Sequence, residues 1–323
     1  MNRFRWLLIG GALTLLPILQ AGVAQAQIAA PELIPGTADI VIGSPGANAD
    51  PSFAPLNPAT MSWAKGSVFA LGETKVERDQ KVPVNQKETY SGSYGGFRWT
   101  GDKLAIGLET LNLSSDKTNV DLSLKTTGGA VSGKLAEWFS LGAGLNNSEA
   151  KSGSTTDTTR RLIFGGSAKI GDVFFAGVGT GRDSLDHKSP GGDFSDDRSV
   201  TQYGLGLYTG AGGGGGGGTR WHLEYNVEEL DDYTDPSGAS FGGFTRTSGV
   251  VEVNWKNILL SYKSYSSSAK TGNGKLDGTA IEAGWAPDKG FVVSGRLQTN
   301  SEKAGSVKIA DSNSMSVNVG FQF

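Results

Sequence analysis

The chain has 323 residues, 49 of them glycine, with 37% hydrophobic and 19% charged residues, two histidines and no cysteine. Lack of thiols excludes a disulfide framework, a thiolate metal site and a cysteine nucleophile, and His187 with His222 is too little for a histidine-rich centre. A net charge of −3 leaves no basic footprint for nucleic acid, and this length suits either two globular domains or one all-β barrel.

The first expected element is an export signal over residues 1–26. Arg3 and Arg5 supply positive charge, Trp6 to Leu19 is a short apolar stretch interrupted by Pro17, and Ala24-Gln25-Ala26 is an A-x-A site. Cleavage is expected after Ala26. No later segment approaches the ~20 apolar residues of a spanning helix. Periplasm, outer membrane and secretion remain as destinations.

Residues 27–60 do not alternate and are rich in Pro, Ala and Gly. They hold Gly43-x-x-Gly46-Ala47-x-Ala49-Asp50, then Asn57-Pro58-Ala59 and Met61. Pro58 fixes its own φ and restricts Asn57 to an extended conformation. The Asn57 side chain can bond nearby backbone. Together they predict a rigid turn ahead of the first strand.

From Met61 to Phe323 the pattern is period 2. Fourteen strands are expected, with twelve as the alternative, near 63–78, 88–99, 104–114, 119–133, 138–147, 159–170, 173–183, 198–211, 219–230, 244–255, 258–269, 276–286, 291–301 and 313–323. Trp221, Leu223, Tyr225 and Val227 alternate with His222, Glu224, Asn226 and Glu228. In the last strand Phe323, Phe321, Val319, Val317 and Met315 alternate with Gln322, Gly320, Asn318, Ser316 and Ser314. A run of about ten residues is what one tilted strand needs to cross a bilayer. Backbone groups in hydrocarbon must pair, so the sheet must close. The fold class is an all-β, transmembrane, antiparallel up-and-down barrel.

Connections alternate in length. Short ones (100–103, 134–137, 171–172, 256–257, 287–290) are expected on the periplasmic side and long ones (79–87, 148–158, 184–197, 231–243, 302–312) outside. Trp63, Trp99, Trp138, Trp221, Trp255 and Trp285 all fall near periplasmic strand ends, where an indole satisfies both lipid and water. They are expected to form an aromatic girdle. Tyr90, Tyr233, Phe241, Phe244 and Tyr265 mark the outer ends.

The inward set includes Arg98, Glu109, Asp121, Lys125, Arg161, Lys169, Glu224, Glu228, Glu252, Lys263, Glu282 and Arg296. These charges must pair or be hydrated, so the lumen is either braced by ion pairs or a water-filled channel. Phe53, Leu56, Phe69 and Leu71 are the candidates for holding an apolar ligand. Asp183, Asp186, Asp193, Asp196 and Asp197 form one acidic outer loop, which also holds His187; Glu228, Glu229, Asp231, Asp232 and Asp235 form another. No EF-hand spacing is present, and the Gly212–Gly218 tract lacks the Lys-Ser/Thr of a phosphate loop. No G-x-S-x-G motif stands in the chain. No enzyme activity, cofactor or metal is expected.

With its Gly/Ala-rich segment ending in Asn57-Pro58-Ala59 before the first strand, the chain resembles the FadL family of outer-membrane hydrophobic-compound transporters and their shorter relatives. The resemblance implies a fourteen-stranded barrel whose N-terminal segment folds into the lumen as a hatch. It divides the chain into a signal peptide (1–26), a plug (27–60) and a barrel (61–323) in the outer membrane of a Gram-negative bacterium. The expected function is transport of small hydrophobic molecules past the plug. A general diffusion porin and a structural barrel acting through its acidic outer loops are the alternatives. Expected partners are outer-membrane lipid and lipopolysaccharide, the barrel-assembly machinery acting on the strand that ends in Phe323, and a small hydrophobic ligand.

Overall fold

The computed structural model describes residues 57–63, 67–81, 86–115, 122–171, 173–209, 220–236, 238, 240–255, 257–285, 287 and 290–323. The signal segment, Gly43, Gly46, Phe53, Leu56, Asp121 and the Gly212–Gly218 tract lie outside them.

A 3-10 helix, η1 (Pro58–Trp63), precedes sixteen strands: β1 (Val68–Gln80), β2 (Gln86–Thr100), β3 (Leu104–Ser115), β4 (Leu122–Ala136), β5 (Phe139–Ser152), β6 (Thr155–Ile170), β7 (Phe174–Lys188), β8 (Phe194–Thr209), β9 (Arg220–Leu230), β10 (Tyr233–Thr234), β11 (Ser240–Phe241), β12 (Phe244–Trp255), β13 (Ile258–Ala269), β14 (Gly274–Trp285), β15 (Gly290–Ala304) and β16 (Val307–Gln322). All but β10 and β11 form one closed antiparallel barrel of fourteen strands. Each strand pairs with its chain neighbour, β9 pairing with β12 across a connection that carries the β10–β11 hairpin. β1 closes the cylinder against β16, from Val68 opposite Gln322 to Gln80 opposite Ala310. The closed barrel itself leaves no free edge strand.

Alternation sets which way each strand faces. Along β16, Phe321, Val319, Val317 and Met315 are exposed while Gln322, Asn318, Ser316 and Ser314 are buried. Along β15, Phe291 and Leu297 are about 60% exposed while Ser294, Arg296 and Gln298 are buried. A monomer in water rarely shows apolar patches above a few hundred Å². Here a continuous apolar belt surrounds the whole molecule. Its natural solvent is acyl chain, and the polar interior replaces the usual hydrophobic core.

The expected long outer connections are mostly strand. β5 and β6 meet at the two-residue turn Gly153-Ser154, and β15 and β16 at Gly305-Ser306. Gly153 (φ 58°) and Gly305 (φ 59°) adopt the left-handed backbone these tight turns require. The strands rise past the lipid belt into water, where the exterior becomes polar: Thr156, Thr158 and Arg160 on β6, and Asn313 and Asp311 on β16. Hydrogen-bonded pairing continues there but hydrophobic alternation stops, so the pattern resembles a loop. Among the described connections only 231–243 remains long, and its β10–β11 hairpin folds onto the wall.

The first strand also moves. The expected range 63–78 fails at its start, because Pro58–Trp63 is helical and the wall begins at Val68.

Candidate functional site

The site is the lumen, and the helix η1 is its most specific feature. All six residues of η1 are buried inside the barrel, against β3, β4, β5 and β6. Asn57 starts the turn. Its Oδ1 accepts the Ala59 N–H at 3.1 Å, and its carbonyl accepts from the Thr60 N–H (3.1 Å) and Oγ1 (2.9 Å). This is the N-cap arrangement, in which a short side chain satisfies donors that the helix leaves open. Asn57 Nδ2 points the other way and donates to the Gly166 and Val178 carbonyls at 3.2 and 3.4 Å. One side chain thus caps the helix and ties it to the wall.

The seat for this turn is made by missing side chains. A Cβ at Gly142 would lie 2.6 Å from Ala59 N, and a Cβ at Gly165 would collide with Asn57 Oδ1. Ser140 Oγ donates to the Ala59 carbonyl at 2.8 Å. Trp63 Nε1 donates to Ser167 Oγ at 3.0 Å, and the Lys134 and Lys169 ammonium groups stand 5.7 and 5.5 Å from the Trp63 ring centre, within cation–π range. Trp63 is therefore not part of the girdle: it is buried in the lumen. Trp99, Trp138, Trp221, Trp255 and Trp285 are exposed, at strand ends on the rim below η1. Only chain position had grouped Trp63 with them.

The two sides of the lumen differ. On β2 to β5 the inward face is apolar around Tyr94, Leu111, Leu124 and Ala150, with Leu113 beside them. Met61 of η1 packs on Ala105 and Ala130 of the same wall. Phe69 and Leu71, expected to hold a ligand, are exposed on the exterior. Parity explains this: the inward positions of β1 are Val68, Ala70, Gly72, Thr74 and Val76.

The opposite side is braced by charge. Arg161 donates to Glu228 Oε1 (3.1 Å) and Asp183 Oδ2 (3.3 Å). Arg198 donates from Nε and Nη2 to the same Asp183 oxygen at 2.9 and 2.7 Å, and Arg246 Nη2 donates to Glu228 Oε2 at 2.7 Å. All five side chains are buried. The connection 231–243 caps them: Tyr233 stacks under the Arg198 guanidinium at 4.1 Å, and Arg198 Nη1 donates to the Gly242 carbonyl. Burial pushes the Tyr233 phenol well above its ordinary pKa, and the charge of Asp183 adds to this.

Arg98, Glu224, Glu252, Lys263, Glu282 and Arg296 are all buried at inward positions. His222 Nε2 stands 2.9 Å from Glu224 Oε2, and Ser294 Oγ donates to Glu282 Oε1 at 2.7 Å. Glu109 and Lys169 are half-buried and inward. Lys125 is exposed and outward, beside Glu149, because Leu124 and Thr126 occupy the inward positions of β4. The acidic loops do not survive as units. Asp183 and Glu228 are wall residues inside the lumen, and His187 lies on β7, 2.6 Å from Asp157. Among the described residues no group of three His, Asp or Glu side chains is placed to hold a metal. Tyr233, Phe244 and Tyr265 are buried rather than ringing the outer rim.

Arg198, Arg246, Ser140, Ser167, Gly142 and Gly165 were missed from the sequence. Strand parity gives their direction, but nothing local shows that η1 and the ion-pair network meet them there.

A closed fourteen-stranded barrel, greasy outside and polar within, with a helix bound in its lumen, has the fold of outer-membrane hydrophobic-compound channels of the FadL type. The CymD monoaromatic hydrocarbon channel is similar at 12% identity and a TM-score of 0.55, over 83% of this chain and 91% of that one. The toluene transporter TbuX of Ralstonia pickettii aligns at 11% identity and 0.54, over 89% and 98%. A FadL homologue of Pseudomonas aeruginosa aligns at 12% identity and 0.53, over 89% and 98%. At these identities the likeness is one of fold. No protein-family model matches the sequence, and no curated protein matches it.

Proposed function

We propose that this chain is an outer-membrane transport barrel that admits small hydrophobic molecules past an N-terminal plug anchored at Asn57–Trp63. The observation that carries the reading is the fit of η1 in its glycine-lined seat inside the lumen. A simple turn at a strand start would need neither Gly142 and Gly165 beneath it nor the Asn57 tie to β6 and β7. The apolar wall of Tyr94, Leu111, Leu124 and Ala150 supports a hydrophobic cargo. So do the neighbours in fold, described as a monoaromatic hydrocarbon channel and a toluene transporter. The exposed apolar belt supports a lipid environment, and an export signal over residues 1–26 would carry the chain out of the cytoplasm, as an outer-membrane destination requires.

A general diffusion porin is the second reading, favoured by the polar lumen wall over β9 and β12 to β16. Planar-bilayer conductance separates the two. The intact protein is expected to be nearly closed, and deletion of residues 28–56 with η1 retained should open a larger, ohmic pore. Equal conductance before and after the deletion contradicts the plug, and a large pore in the intact protein favours the porin.

A further inference from the structure

The exterior above the lipid belt is unevenly charged. On β4, β6 and β7 the exposed outward positions include Lys125, Arg160 and Arg182. Register places Arg182 opposite Leu162, Arg160 opposite Asn147 and Ser184, and Lys125 opposite Glu149. Arg182 is thus one row below Arg160, and Arg160 is one row below Lys125.

Rows climb as strand number rises. The row that starts at Val68, the inner end of β1, runs through Arg98, Gly107, Ala130, Gly144, Ile163, Gly181, Val200 and Leu230. It continues through Phe244 to Ala269, the outer end of β13. Going back from β7 to β4, three strand crossings lower the row and two two-residue steps up the strands raise it by a comparable height. The three cations therefore lie at one level, as an arc around the cylinder.

Below that arc the exterior is apolar, with Leu145, Leu162, Phe164 and Val178 all exposed. The arc therefore sits where hydrocarbon gives way to head groups. Arg182 pairs with Asp197, whereas Arg160 and Lys125 make no ion pair among the described residues. Just above, Lys151 pairs with Glu149 at 2.8 Å. The outward charges of β1 differ: Glu73, Glu77 and Asp79 outnumber Lys75.

We infer that Lys125, Arg160 and Arg182 form a binding site for the phosphate groups of lipid A, whose acyl chains lie on the apolar strip beneath. This rests on the outer-membrane reading above. Guanidinium groups bind phosphate through paired, charge-assisted hydrogen bonds, and basic clusters at a membrane surface attract anionic lipid head groups.

The test is a native mass spectrometry titration of the full-length protein in micelles, with bisphosphorylated and with dephosphorylated lipid A. The wild type is expected to prefer the bisphosphorylated form by about tenfold. The triple variant Lys125→Gln/Arg160→Gln/Arg182→Gln should lose that preference. Lys275→Gln/Lys303→Gln/Lys308→Gln, which removes the same charge from exposed outer positions elsewhere, should keep it. The single variant Arg160→Gln, with a partial loss, serves if the triple variant does not fold. Retained preference in the arc variants, or none in the wild type, overturns the site. Insertion into phospholipid vesicles is scored separately: failure of the wild type to insert overturns the membrane reading and the site with it.

Discussion

Asn57 shows how much one short side chain can decide. It caps η1 through Oδ1 and reaches the β6 and β7 carbonyls through Nδ2, so its loss releases the helix at both ends of the contact. Gly165→Ala attacks the same place from the wall, because the new methyl would occupy the position of Asn57 Oδ1. Gly165→Ala should unseat η1, raise bilayer conductance and change Trp63 fluorescence. Gly295→Ala, where the nearest atom to a new Cβ is 3.8 Å away, should leave all three unchanged. Two buried charges make a sharper contrast. Asp183→Ala removes the carboxylate that Arg198 pairs with and leaves Arg161 with Glu228 alone, and should cost about 3–5 kcal/mol in urea unfolding, as removal of one partner from a buried ion pair does. Arg98 is buried, and its Nε and Nη2 find no hydrogen-bond acceptor among the described residues. Arg98→Met should therefore be neutral or stabilising, since it removes an uncompensated charge.

At the scale of the element, each strand has two regimes along its length. In the lipid belt of β16 the outward residues run from Phe321 to Met315; beyond it they are Asn313 and Asp311. A charge placed within the belt should be costly and one placed above it cheap. Val317→Arg is expected to lower folding stability in bilayers by about 2–4 kcal/mol and Asn313→Lys by about 0–1; equal costs would mean the belt edge is misplaced. The same division explains what the sequence made legible. Barrel strands could be counted and faced wherever lipid enforced alternation, which is why β9, β15 and β16 read cleanly. The upper reaches of β5, β6 and β15 resemble loops in sequence because water on both faces removes the hydrophobic signal while the backbone ladder continues. Trp63 was misread for a related reason. An indole near a strand end satisfies the same chemistry at a lipid interface or against Ser167 and two lysines, and only the tertiary fold distinguishes them. The seat of η1 was hidden too, since Gly142 and Gly165 look like any other glycine in a glycine-rich strand.

At the scale of the whole molecule, the cylinder inverts the usual order. Its exterior supplies the apolar surface, and its interior is held largely by ion pairs and hydrogen bonds, with one buried apolar cluster on β2–β5 and a second formed by Ile163, Val200, Leu230 and Phe244. Arg161, Asp183, Arg198, Glu228 and Arg246 brace the lumen side of β6 to β9 and β12. A closed barrel with η1 inside it fixes which tryptophans meet lipid. Single-tryptophan variants reconstituted into vesicles with brominated acyl chains report this directly. Trp99, Trp138, Trp221, Trp255 and Trp285 should each be strongly quenched, and Trp63 should be shielded. Quenching of Trp63 as strong as that of Trp285, or no quenching of the five rim residues, would contradict a closed barrel with η1 inside it.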